Sequence, residues 1–405
     1  MSRSSSCAPS VKDVIHVIRE KVGTLETVLR AGGMSAAEID ALSPEKKEHL
    51  QRGLDDAIEQ AAQWYVKKGF SPDQVRCLAH RASKADGAHS FFKALTTNAV
   101  SSMAVNLAVL AFTIPLSFVV PVLPLIAISV ALSFGFSWCY GMHAWAAGKT
   151  MAKRHDESCN SHGFKRTRFG HAVPPDTMGR ALSREGIAEC ARTGTRLAAS
   201  APLMIITLVL SVLQTGTAIL PILGAFLSPI AALFGPVSNG LQELVSHHLS
   251  KRDGRYTQAN LFGVSWNREK GFSFDAGQAE DNSRRLHPSA GQRALGTMWR
   301  MFDFYRRDFS REVEKEKKRG IDGPKAKELL LGMTAGAVMG DAASAGASLL
   351  GGSIAPGVKA GGTVAAMLAA GMLHVGKRPL VEAALEECGT RPGVRTPVPM
   401  PAQRC

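Results

Sequence analysis

Two stretches of this chain break with everything around them. From Ala94 to Gly148 the sequence runs 55 residues without an Asp, Glu, Lys or Arg, and from Leu197 to Gln242 it does so for 46. A helix needs roughly 20 apolar residues to cross about 30 Å of hydrocarbon, so each block is long enough for two crossings. Prolines fall near both midpoints: Pro115, Pro121 and Pro124 in the first block, Pro221 and Pro229 in the second. Proline lacks a backbone donor and pushes the residue before it out of the helical region. Each block therefore reads as a transmembrane helical hairpin, 94–148 and 197–242, with Pro121, Pro124 and Pro221 at the turns. The competing reading is a pair of buried helices in a water-soluble core. Such helices usually carry a polar stripe, and none is visible here.

Outside the blocks the pattern is that of amphipathic helices. Val11, Val14, Ile15, Ile18, Val22, Leu25 and Leu29 share one helical face, with Ser10 as cap and Gly32-Gly33 as stop. Ser35 and Glu38 have capping-box spacing. Ser43-Pro44 opens a helix that turns Leu50, Leu54, Ile58, Ala61 and Tyr65 inward and ends at Gly69, and Ser71-Pro72 opens another with Val75, Leu78 and Ala82. Residues 11–92 are thus expected to form a small antiparallel helical domain behind a Ser-rich, disordered start, 1–10. Segment 149–196 reads as a polar loop rich in turn-formers. Within 243–328, Leu261–Trp266 and Phe272–Phe274 flank NREKG and suggest a short β-hairpin. The fold class that follows is mainly α: a small helical N-terminal domain, then hydrophobic transmembrane helical hairpins joined by basic loops.

Two further segments carry candidate surfaces. Residues 298–320 place Trp299, Phe302, Tyr305, Phe309 and Val313 along one stripe, with Arg300, Arg306, Arg307 and Arg311 around it. Aromatic rings bury into a headgroup boundary and basic side chains meet anionic lipid, so Trp299, Phe302, Phe309, Arg306 and Arg307 are interfacial candidates. An ordinary helix on a core, its Asp303, Asp308 and Glu312 pairing with the bases, is the alternative. Residues 329–376 hold 11 Gly and 12 Ala, and Gly332, Gly336 and Gly340 recur every four residues. That glycine zipper would let a second helix approach closely in lipid and supports self-association of a Gly/Ala-rich helical hairpin. The tail, 377–405, is Pro-rich and expected to be disordered.

Charge sharpens the topology. The chain carries 48 Lys and Arg against 34 Asp and Glu, a net +14. Every polar segment is basic: 14 against 12 in residues 1–93, 10 against 5 in 149–196, 18 against 13 in 243–328, and 5 against 3 in 377–405. Single spans would put alternate segments on opposite sides, against the tendency of Lys and Arg to stay on one. Hairpins keep them together. The excess is diluted by acids and accompanies no recognition module, which points away from nucleic acid.

Candidate chemistry is sparse. Seven scattered cysteines without a CxxC pair do not make a disulfide framework and fit a reducing compartment. His155, Cys159 and His162 have spacings a metal could use on a helix, but they lack a second pair of ligands, so no metal site is assigned. Gly148-Lys149-Thr150 ends like a phosphate-binding loop, yet that motif needs Gly where His143 stands. No cofactor and no catalytic residue is implied.

The amino terminus has no apolar core of a cleavable signal. Its Met1-Ser2-Arg3-Ser4-Ser5-Ser6 is acid-free and Ser-rich. Together with proline-centred hydrophobic hairpins in an otherwise polar chain, this organisation resembles bacterial proteins exported by type III secretion and inserted into host membranes. The resemblance implies a secreted effector, with a secretion chaperone binding near the first helices. Long coiled-coil heptads, usual in translocators, are absent, which weighs against a pore-former. A resident bacterial inner-membrane protein and a membrane-anchored enzyme are the alternatives.

Overall fold

The first helix begins where the sequence first alternates, and local chemistry sets each early boundary. The structure, a computed structural model, describes residues 10–116, 119, 122–161, 169–173, 178–212, 219–286 and 290–319. Helix α1 (Val11–Val22) starts at Ser10, whose backbone is extended but whose side chain makes no capping bond. Gly23, at φ +83°, ends it, and Thr24 Oγ1 accepts from Thr27 N to start α2 (Leu25–Ala31). The single helix expected from Val11 to Leu29 is therefore two: a glycine free to take positive φ, followed by a capping threonine, outweighs a continuous apolar stripe. Helix α3 (Ala36–Asp40) has the reciprocal Ser35–Glu38 box. Helix α4 (Pro44–Lys67) opens with Pro44 in its first turn and buries Leu54, Ile58, Ala61 and Tyr65.

From Pro72 a single helix, α5 (Pro72–Leu116), runs through the boundary between the polar domain and the first charge-free block. It is followed by α6 (Val122–Ser161), strand β1 (His171–Ala172), α7 (Met178–Val212) and α8 (Ile219–Arg252). Strand β2 (Tyr256–Thr257), a short 3-10 turn (Ala259–Phe262), β3 (Val264–Asn267), β4 (Gly271–Phe274) and helices α9 (Ala276–Arg285), α10 (Ala290–Arg307) and α11 (Phe309–Lys318) complete the described chain. The fold is mainly helical. The expected β-hairpin is present, with Val264 opposite Phe274 and Trp266 opposite Phe272. Segment 149–196, expected as a loop, is helical to Ser161 and again from Met178.

The contacts divide the chain into two units. Unit 1 collects residues up to 94, 152–184 and 240–307. Its core joins Val14, Ile18, Leu54, Ile58 and Tyr65 from the amino-terminal helices to Phe169, Leu261, Phe262 and Ala279 from far along the chain. Tyr65 packs edge-on against Phe70 and Phe262 at 5.3 and 5.8 Å. Side chains of this size contribute about 1.5–3 kcal/mol each on full burial. Hydrogen bonds stitch the same ends together: Gln258 N donates to Lys21 O at 3.0 Å, and the Thr257 side chain donates through Oγ1 to Val22 O at 2.7 Å.

Unit 2 collects the described residues of 95–151, 185–239 and 308–319. Within it α5 and α6 run antiparallel: Phe112 meets Phe136 with centroids 5.8 Å apart, and a Cβ on Gly148 would stand 3.3 Å from Thr97. Helices α7 and α8 pair likewise, with Arg196 Nε 3.0 Å from Ser238 Oγ. Helix α11 seats Val313 and Phe309 on Ala146 and Ala147, and Glu316 takes Lys149 at 3.0 Å.

Pro124 and Pro221, read from the sequence as turn residues, are the third residues of α6 and α8. Proline is tolerated there because the first-turn N–H groups have no partner within the helix. Pro121 lies outside the described residues, as do Gly332, Gly336, Gly340 and the whole of 329–405. Among the described residues, no helix is long and apolar enough to cross a membrane, so the transmembrane character of the two hairpins is carried by the sequence alone.

Candidate functional site

The polar residues that unit 1 buries gather along α5. Asp86, 3% exposed, accepts from the backbone N–H groups of Phe169 and Gly170, both at 2.9 Å, and from Tyr256 Oη at 2.5 Å. These three donors fix the short β1–β2 pair, His171 opposite Thr257 and Ala172 opposite Tyr256, against the helix. Gly170 is required at this crossing, since a Cβ there would come within 2.6 Å of both Tyr256 and the Thr257 carbonyl. Burial, then the facing Asp86 charge, raises the Tyr256 phenol well above its ordinary range. A polar cleft of about 140 Å³ opens beside the contact, lined by Asp86, Arg184, Glu243, His247, Ser250 and Tyr256. Its groups are engaged in structure: Arg184 donates to Ser250 Oγ at 3.2 Å, Ser250 donates to Ser246 O, and His247 stacks edge-on against Tyr256 with Nε2 3.3 Å from Ser83 O. A carboxylate holding two main-chain donors and a phenol acts as a latch between segments, not as a general base.

One turn further along α5 stands a second cluster. His89 Nε2 lies 3.2 Å from Asp156 Oδ1, Lys93 Nζ lies 2.9 Å from Asp156 Oδ2, and His155 Nδ1 lies 3.9 Å from Oδ1. The two imidazole rings are 4.8 Å apart, both nearly buried. Helix periodicity explains the grouping: His89 and Lys93 are four apart on α5, while α6 returns antiparallel and offers His155 and Asp156. Burial would raise the Asp156 carboxyl, but the facing His155 and His89 imidazoles and the Lys93 ammonium outweigh it and hold the group well below the usual carboxylate range. Burial lowers His89, against the pull of Asp156. The sequence singled out His155 with Cys159 and His162; the structure sets His155 against His89, 66 residues earlier. His162 and the Cys159 side chain lie outside the described residues. A two-helix pairing across a 60-residue excursion leaves no local signal, so His89 was invisible to spacing arguments.

The interfacial candidates divide. The expected helix over 298–320 is two, α10 and α11, broken at Asp308. On α10, Trp299 is 69% and Phe302 61% exposed, and Leu295, Met298 and Tyr305 lie on the same open side, while Met301 and Phe304 face inward. Arg154 caps the inward ring, its guanidinium 5.1 Å from the Phe304 centroid. Arg306 and Arg307 are exposed and reach Asp303 at 3.5 and 3.0 Å. Phe309, expected at an interface, is packed on Ala146 and Ala147 instead, because the break at Asp308 rotates it into a different set of contacts. Large exposed apolar side chains clustered on one helix face mark an interaction surface.

No protein-family model, characterised protein or solved structure matches this chain.

Proposed function

We propose that this is a membrane-associated protein that acts by interaction, its two charge-free helix pairs entering the bilayer and the open face of α10 resting at the headgroup boundary. The observation that carries this reading is connectivity. The chain leaves unit 1 and returns to it twice, each time through an antiparallel helix pair drawn from a charge-free block. Each of the three described polar segments contributes to that unit, through residues up to 94, 152–184 and 240–307, the arrangement that lipid-inserted hairpins require and that single spans forbid. Helix α10 adds four Arg against one Asp around its exposed Leu295, Met298, Trp299, Phe302 and Tyr305, a composition suited to anionic lipid at about 1 kcal/mol per basic residue near the surface. Proline-bearing charge-free runs within an otherwise polar, basic chain support the further reading that the protein is a secreted bacterial effector acting at host membranes.

Insertion is tested with the full chain in sealed anionic vesicles. It should resist alkaline extraction, and thiols introduced at Lys12 and Gln278 should label from the same face. Release by carbonate or labelling from opposite faces overturns the hairpin reading. Trp299→Ser with Phe302→Ser should weaken binding to anionic vesicles by about tenfold or more, as expected from losing two interfacial aromatics. Export is tested separately with a reporter fused to residues 1–50; its retention in a secreting cell counts against the effector reading.

A further inference from the structure

We propose that His89, His155 and Asp156 form a zinc-binding site between α5 and α6. One donor atom from each of the three residues falls within 4.8 Å of the others, and the His89 and His155 side chains are 6% and 2% exposed. Zinc takes nitrogen at about 2.0–2.1 Å and carboxylate oxygen at about 2.0–2.2 Å in a tetrahedron, which sets ligand–ligand edges near 3.3 Å. The His89–Asp156 edge is already 3.2 Å and the His155–Asp156 edge 3.9 Å. Side-chain rotation at His89 and His155 is the movement that would close the remainder.

The surrounding chemistry suits the ion. Two imidazoles and a carboxylate are borderline donors of the kind zinc prefers, and three protein ligands leave a fourth position for water or a fourth donor. Asp156, partly exposed, forms the open side of the cluster. The Lys93 ammonium approaches Oδ2, the oxygen that neither imidazole faces. It therefore competes for the carboxylate charge yet leaves Oδ1 to the metal, and it orients the ligand as outer groups at metal sites do. A bound divalent ion would clamp α5 to α6 where the pair emerges from the charge-free block.

The test uses the full chain in mild detergent, stripped of metal by chelation and titrated with zinc chloride against a competing indicator. One equivalent should bind, and cobalt(II) in its place should give the visible absorption of a four-coordinate N/O site. His89→Gln, His155→Gln and Asp156→Asn should each weaken zinc binding at least tenfold. Lys93→Gln should retain binding within about tenfold. Zinc should raise the melting temperature of the parent and leave Asp156→Asn unmoved, with circular dichroism confirming that the metal-free variants fold alike. If the parent takes up no stoichiometric zinc, or if the three ligand variants bind as it does, the site does not exist.

Discussion

Tyr65 and Tyr256 are two buried phenols in opposite circumstances. Tyr65 Oη is buried with no hydrogen-bond partner among the described residues, whereas Tyr256 Oη donates to the Asp86 carboxylate. Removing an unsatisfied buried hydroxyl is neutral or stabilising, while removing a donor to a buried charge costs about 1.5–3 kcal/mol. Thermal melts should therefore show Tyr65→Phe at or above the parent and Tyr256→Phe clearly below it. The sign with pH follows from the raised phenols. Both are held protonated in the fold, so their contribution is full below the ordinary tyrosine range near 10 and falls as pH rises beyond it. Tyr256→Phe should flatten that alkaline decline. A second residue-scale case is the Glu189–Arg192 pair of α7, 2% and 9% exposed. Burial outweighs attraction at both ends, raising the Glu189 carboxyl and lowering the Arg192 guanidinium. Glu189→Leu alone should cost about 3–5 kcal/mol by removing the buried counter-charge of Arg192, and adding Arg192→Met should recover part of it. Equal melts for the single and double variants would show that the pair is not the unit of stability.

At the scale of elements, what could be read from the sequence was what is local. Ser35–Glu38 and Ser71–Gln74 announce their helices because both halves of each cap lie within one turn. The β3–β4 hairpin was legible for the same reason, five residues separating Trp266 from Phe272. The carboxyl half of α6 was not. Its buried stripe is Ala147, Met151, His155 and Ser158, helical in period but polar in half its members, so hydrophobic periodicity alone reads it as a loop. The turn into β3 makes a sharper prediction. Gly263 sits at φ +72°, and a Cβ there would overlap the Asp275 carbonyl; Gly254, at φ +68°, has open space around it. Gly254→Ala should lose only the left-handed penalty, about 1–2 kcal/mol, and Gly263→Ala distinctly more. Similar losses at the two positions would mean that Asp275 yields freely.

For the molecule as a whole, the division into units predicts what a shortened chain should do. Lys93 meets Asp156, and Arg184 meets Ser250, so the helix stubs leaving unit 1 lie side by side. Replacing 95–151 and 185–239 by short Gly/Ser linkers should leave a chain that folds without detergent and melts in one transition. A chain that aggregates or melts without cooperativity would place the stability of unit 1 in the removed helices. The charge-free runs of 55 and 46 residues fall largely within the two excursions, being a signal that spans whole helices. They did not foretell which polar segments meet. Asp86 and Tyr256 are 170 positions apart, and neither is unusual in its own neighbourhood.

The stitching of residues 21 and 22 to residues 257 and 258 also sets an order in time. Ribosomes add roughly 5–20 residues per second. The amino-terminal helices therefore leave the ribosome on the order of 10–50 s before Phe262 arrives to fill the space beside Tyr65. For that interval the core around Val14, Ile18, Leu54 and Ile58 lacks Phe262, Leu261 and Ala279, and both charge-free runs emerge meanwhile. The chain's connectivity thus delays completion of the unit 1 core until residues 259–286 have been made, and until then the nascent chain presents its earliest apolar faces for capture.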